Sequence, residues 1–134
     1  SYGKPIDSED AIRMLKELSG TDHRVVTGVT VIEVDTGRYI TDALKTSVSM
    51  RALSDEEIRG SVDSGTPMDK AGAYAVQDSD LEPASSIEGC YTNVIGLPLC
   101  RLISMLDELG SSFVSEITRE SFCESICSNT QVSP

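Results

Sequence analysis

The amino-acid sequence predicts an α/β fold, a mixed sheet flanked by helices, and three observations carry that prediction. Apolar residues recur at helical spacing near the N-terminus, β-branched residues crowd two neighbouring runs between residues 24 and 51, and an amphipathic pattern returns beyond residue 97. Helical and extended periods therefore alternate along one chain of 134 residues, long enough to close a single core.

Each element has a local cause. Asp7 or Ser8 caps a helix over about residues 8–19, in which Ile12, Leu15 and Leu18 share a face beside Met14 and Gly20 stops the run. Arg24 to Val34 is dense in Val, Thr and Ile, whose branched Cβ atoms favour a strand, and Asp35-Thr36-Gly37 turns the chain. Tyr39 to Arg51 reads as a second extended run, clearest at Thr46, Val48 and Met50, so the two runs pair as an antiparallel hairpin. Ser54-Asp55-Glu56-Glu57 is a capping box that opens a helix ending near Gly65, and Glu56 and Glu57 suit the positive end of its dipole. Ile87 to Tyr91 is expected to be a short strand. Leu97 to Leu109 is expected to be a helix with Leu99, Leu102, Ile103, Leu106 and Leu109 on one side and Gly110 as its stop. Phe113, Val114 and Ile117 suggest a last strand or turn, and residues 119–134 read as a flexible tail beyond a domain spanning 1–118.

Composition narrows the function classes. The net charge of −11 argues against a nucleic acid polymer and against an anionic membrane, because both demand a basic face. A polyphosphate ligand would need a divalent cation or a local group of Lys and Arg to offset that field. Cys90, Cys100, Cys123 and Cys127 lack C-x-x-C spacing and His23 is the only histidine, so a zinc site has little support and reduced thiols in a cytosolic setting are expected. No apolar run approaches the ~20 residues that cross a bilayer.

The stretch Gly65 to Gln77, G-T-P-M-D-K-A-G-A-Y-A-V-Q, looks most shaped by chemistry. Two turn formers lead into adjacent opposite charges at Asp69 and Lys70, then into small residues, Tyr74 and the amide of Gln77. Asp69 suits a hard cation and Lys70 a phosphate, against a solvated turn as the plainer alternative. Gln77 carries a donor and an acceptor that match the edge of a base, against a simple helix-end or strand amide. Tyr74 could stack on a base, although core packing is the stronger expectation. Lys4, between Gly3 and Pro5, could aim an ammonium at phosphate, against a surface lysine in a fraying terminus. His23 has no Ser or Cys partner nearby and is expected to be structural. Gly65 to Lys70 is not a P-loop, since the Gly before the lysine and the Ser or Thr after it are missing, and neither G-x-G-x-x-G nor G-x-S-x-G occurs.

Five blocks in order carry a resemblance: G-K-P (Gly3–Pro5), L-S-G-x-x-H-x-V-x-T-G-V (Leu18–Val29), L-S-x-x-E-I (Leu53–Ile58), D-K-A-G-A-Y-x-x-Q (Asp69–Gln77) and N-V-I-G-L-P-L (Asn93–Leu99). Together they resemble the Maf family of nucleoside triphosphate pyrophosphatases, in the branch acting on dTTP and UTP. The resemblance implies a Maf/ITPase-like cleft and cleavage between the α and β phosphates, giving a monophosphate and pyrophosphate with magnesium or manganese. It also implies a cytoplasmic house-cleaning role that extends to modified pyrimidine nucleotides, and a homodimer among the partners. By resemblance, Lys4 faces the triphosphate, Gln77 selects pyrimidines, and Asp69 and Lys70 help form the cleft. The family's S-x-x-R-R phosphate loop and its G-A-D-T segment, which holds the general base, precede G-K-P and are not in these residues. The chain thus resembles the C-terminal two thirds of the family fold, and its activity alone is expected to be impaired. The alternative is a non-catalytic nucleotide-binding or dimerising module. Thr66, Asp78 and Cys90 depart from the family's usual acid, Gly and Ser.

Overall fold

A computed structural model describes residues 1–111. Helix α1 (Ser8–Leu18) begins where Asp7 accepts a 2.8 Å hydrogen bond from the Asp10 backbone, and it buries Ala11, Met14, Leu15 and Leu18. Strand β1 (Asp22–Ile32) and strand β2 (Tyr39–Met50) follow, joined by a turn in which Gly37 has φ +73° and the Arg38 guanidinium grips Glu33 at 2.9 Å. Helix α2 (Asp55–Asp63) carries the capping box, with Ser54 accepting from the Glu57 N–H and the Glu57 carboxylate accepting from the Ser54 N–H. Two short 3₁₀ turns, Thr66–Asp69 and Ala71–Ala73, lead to strand β3 (Ala84–Glu88), helix α3 (Tyr91–Ile95) and helix α4 (Leu99–Glu108).

The three strands lie in the order β1-β2-β3. Thr30 bonds Thr41 and the Met50 N–H donates to Thr21, so β1 and β2 are antiparallel, as the hairpin reading expected. The Arg51 N–H donates to Pro83 and Ser85 donates to Ser49, so β3 is antiparallel to β2 as well. The pairing is therefore antiparallel throughout the described sheet, where the sequence suggested a mixed one.

Two other expectations are corrected. The strand placed at Ile87–Tyr91 instead occupies Ala84–Glu88, because Gly89 at φ +123° ends it and Cys90 opens α3 at Tyr91. Polar Ser85 and Ser86 hid it: only Ala84 and Ile87 turn inward. Helix α4 starts after Pro98, at Leu99 rather than Leu97; Met105 is fully buried, and Leu109, on the expected face, is buried just past its end. Phe113, Val114, Ile117, Cys123, Cys127 and the tail from 119 lie outside the described residues.

The described chain divides into two compact units. The first holds residues 1–23 and 48–86; its core joins α1 to α2 through Ala11, Met14, Leu15, Ile58, Val62 and Ala73, with Met68 and Tyr74 packed against them. Removing such a buried Leu or Ile side chain to Ala costs about 2–5 kcal/mol. The second holds residues 24–47 and 87–111. There Asn93 is fully buried, and its Nδ2 donates to the Val25 carbonyl (3.3 Å), the Leu44 carbonyl (3.4 Å) and the Thr46 hydroxyl (3.0 Å). One amide thereby ties α3 to both strands of the hairpin.

Candidate functional site

The stretch Gly65–Gln77 belongs to the first unit and alternates between core and solvent. Gly65 turns the chain with φ +79°, Pro67 is buried, and Ala73 is fully buried, while Thr66, Asp69, Ala71 and Gln77 are exposed. Gly72 at φ +73° and Ala73 at φ +61° form a left-handed pair, an uncommon conformation for alanine that the surrounding contacts must hold. The site residues thus ride on a turn fastened to the core.

The N-terminal loop is fastened beside it. The Gly72 N–H donates to the Gly3 carbonyl at 3.0 Å, the Tyr2 hydroxyl donates to Glu17 at 3.0 Å, and Pro5 is buried. Lys4 is therefore an exposed side chain between anchored neighbours rather than part of a fraying end. The Lys70 ammonium donates to both Asp69 oxygens, at 2.9 and 3.0 Å. Those bonds and the Lys70 charge hold the Asp69 carboxyl below the ordinary carboxylate range, and the Lys4 charge adds to the effect. Lys4, Asp69 and Lys70 accordingly form one electrostatic group. Gln77 lies exposed in the next turn, and among the described residues no hydrogen bond or ion pair joins it to the other three.

Chemically the group suits anion binding better than proton transfer. A carboxylate held ionised, with both oxygens accepting from an ammonium, is a weak base near neutrality. Two lysines and one aspartate leave a local positive excess in a chain of net charge −11, which is the kind of local cluster that an anionic ligand requires here. A resident divalent cation does not fit these residues: Lys70 occupies both Asp69 oxygens, and the described residues contain no group of three or more His, Cys, Asp or Glu able to hold a metal. A cleft of about 290 Å³ in the same unit is lined by Glu57, Ser61, Ser64, Thr66, Asp78 and Asp80, among others. Of the stretch, only Thr66 lines it, and its three carboxylates repel a polyphosphate.

Sequence reasoning passed over one pair. Tyr74 packs against the core, as expected, yet its hydroxyl lies 2.6 Å from His23 Nε2, with the rings edge to face at 5.4 Å. Burial pushes the Tyr74 phenol up to about 12 and pulls His23 below its usual range, while the Asp22 charge opposes the latter shift. His23 Nδ1 is buried with no partner among the described residues. Both residues stand in the quoted sequence blocks, but nothing in their spacing, 51 positions apart, announces the contact.

Comparison with known proteins gives the family. The family described as Maf-like protein matches residues 1–109. A dTTP/UTP pyrophosphatase of Geotalea uraniireducens (strain Rf4) is 50% identical over 109 residues, covering 81% of this chain and 56% of that protein. One from Acetivibrio thermocellus is 47% identical over 115 residues, covering 86% of this chain and 58% of that protein, and one from Syntrophotalea carbinolica is 48% identical over 109, covering 81% and 50%. The chain thus spans about half the length of the curated relatives it matches. Residues 1–109 include every block of the site described above, and by that match the chain belongs to the Maf-like protein family.

Proposed function

We propose that this chain supplies the phosphate- and base-facing wall of a nucleoside triphosphate pyrophosphatase that hydrolyses dTTP and UTP, together with modified pyrimidine nucleotides, to the monophosphate and pyrophosphate in the cytoplasm. The observation that carries the reading is the Lys4–Asp69–Lys70 group, anchored by the Gly72 to Gly3 hydrogen bond, in a chain 50% identical over 109 residues to part of a protein named for that activity.

In this reading, water attacks a phosphorus and the bond between the α and β phosphates breaks. Charge accumulates on the phosphoryl oxygens, and catalysis rests on positioning and electrostatic stabilisation. Lys4 and Lys70 meet the triphosphate. Lys70 is held by Asp69 before substrate arrives, so binding exchanges one anionic partner of the ammonium for another without leaving a bare charge. The divalent cation, magnesium or manganese, enters with the triphosphate as part of the substrate. Gln77 pairs its amide with the pyrimidine edge. Turnover by this chain alone is expected to be slow, with binding its measurable property.

Incubating the chain with dTTP, UTP and dGTP plus magnesium, while following pyrophosphate and nucleotide products, tests the reading. Binding of dTTP and UTP with little pyrophosphate is the expected result, and robust release overturns the claim of impairment. In the complete protein, Gln77→Ala should change nucleotide preference more than fold stability. An unchanged preference removes Gln77 from the site. Complete protein that binds dTTP but never releases pyrophosphate is a non-catalytic binding module instead.

A further inference from the structure

We propose that His23 is a positioning residue for the nucleotide-facing wall: by accepting the Tyr74 hydroxyl at Nε2, it locks the Ala71–Gln77 backbone in the conformation that presents Lys70 and Gln77 to ligand. The inference rests on reading that stretch as the nucleotide wall.

The hydrogen bond has two possible directions, set by the tautomer of His23. Burial keeps the phenol protonated, so Tyr74 has a proton to donate; in the proposed direction Nε2 accepts it, with the neutral imidazole carrying its own proton on Nδ1. That Nδ1 is buried with no partner among the described residues, a cost that an apolar side chain of similar size would avoid. What the imidazole adds at this place is an acceptor 2.6 Å from Tyr74 on a ring packed edge to face against it.

The wall has reason to need such an anchor. Gly72 and Ala73 are successive left-handed residues, and strained backbone persists only where its surroundings over-determine it. Three contacts do so here: the Gly72 N–H on Gly3, the fully buried Ala73 methyl, and Tyr74 on His23. The third fixes the last residue of the turn, with Asp69 and Lys70 just before it and Gln77 just after. Releasing it lets the turn relax between the two halves of the candidate site.

His23 is the only histidine, so its ring nitrogens can be read without ambiguity. Long-range proton–nitrogen NMR of the 134-residue chain should show the proton on Nδ1, and Tyr74→Phe should move it toward Nε2. A wild-type imidazole protonated on Nε2 overturns the proposal. Amide exchange at Ala71–Gln77 should quicken in Tyr74→Phe and in His23→Leu, and His23→Gln, whose side-chain oxygen can accept from Tyr74, should restore it. Unchanged exchange in Tyr74→Phe, which keeps the core volume, overturns the proposal even if His23→Leu fails to fold. Calorimetry with dTTP should then show about five- to tenfold weaker binding in Tyr74→Phe and recovery in His23→Gln relative to His23→Leu. If wild type does not bind dTTP at all, the nucleotide reading fails, while tautomer and exchange still decide the positioning role.

Discussion

Alanine at Gly72 should destabilise the chain by an amount the geometry fixes. Gly72 sits at φ +73°, and a Cβ built there lies 3.2 Å from Leu18 Cδ1 and 3.8 Å from Tyr2 Cβ. An L-residue in the left-handed region costs about 1–2 kcal/mol, and displacing a core methyl by a few tenths of an ångström adds a fraction more, so the total is about 2 kcal/mol. For a domain of this size, that lowers Tm by roughly 8 °C. Gly60 provides an internal control of opposite sign. It lies inside α2 with nothing within 4 Å of a built Cβ, so Gly60→Ala should stabilise by about 0.5–1 kcal/mol through helix propensity alone. Calorimetric melts of the two variants beside wild type make the comparison. A Gly72→Ala melt at or above wild type, or two shifts of the same sign, would refute the left-handed turn on which the site rests.

Other consequences are as direct. Ser54→Ala removes the acceptor for the Glu57 N–H and should cost about 1 kcal/mol in urea denaturation. The Arg51 guanidinium at 2.7 Å and the Ser54 N–H hold the Glu57 carboxyl down to about 2. That folded value lies below the unfolded one, so its stabilisation is present above about pH 4.5 and is lost as pH falls through about 2; Glu57→Gln should flatten that acid limb of the stability profile. His23 is also depressed, so its contribution is present above its ordinary value near 6.5 and is lost as pH falls through the lower folded value, and a pH-dependent melt of His23→Gln should lack that step. Asn93→Ala leaves two carbonyls and the Thr46 hydroxyl without their common donor and should cost about 3 kcal/mol, read as a fall in the urea midpoint at constant slope.

What was legible in the sequence was what local chemistry writes down. The Asp7 cap, the Ser54–Glu57 box, the glycines at 20, 37 and 65, and the β-branched hairpin all act within a few residues, and each appears where its residues place it. Strand β3 was misplaced because Ser85 and Ser86 mask its pattern and its partner, β2, lies far away in sequence. Periodicity gave the apolar side of α4, near which Leu109 is buried, but not that the adjoining Met105 is the side chain fully covered. The site divides in the same way. Adjacent Asp69 and Lys70 could be read as a pair from their order alone, and their side chains do meet. That Gly3 would receive the Gly72 N–H, or that His23 would meet Tyr74, depends on the core formed by α1 and α2, and no spacing rule encodes it. Arg51 was likewise invisible: its guanidinium donates to Glu57 and to the Leu81 and Glu82 carbonyls, clamping the segment that follows the stretch to α2.

If Lys4, Asp69, Lys70 and Gln77 form a wall that receives a pyrimidine nucleoside triphosphate, nucleotide binding must show it. Titrating the chain with dTTP and with dGTP in magnesium buffer, at low and at physiological ionic strength, tests it most directly, with Gln77→Ala beside wild type. dTTP should bind more tightly than dGTP, added salt should weaken both because the contact is charge on phosphate, and Gln77→Ala should erase the difference between the bases. Equal affinity for both nucleotides in wild type, or a dTTP preference that survives Gln77→Ala, would contradict it.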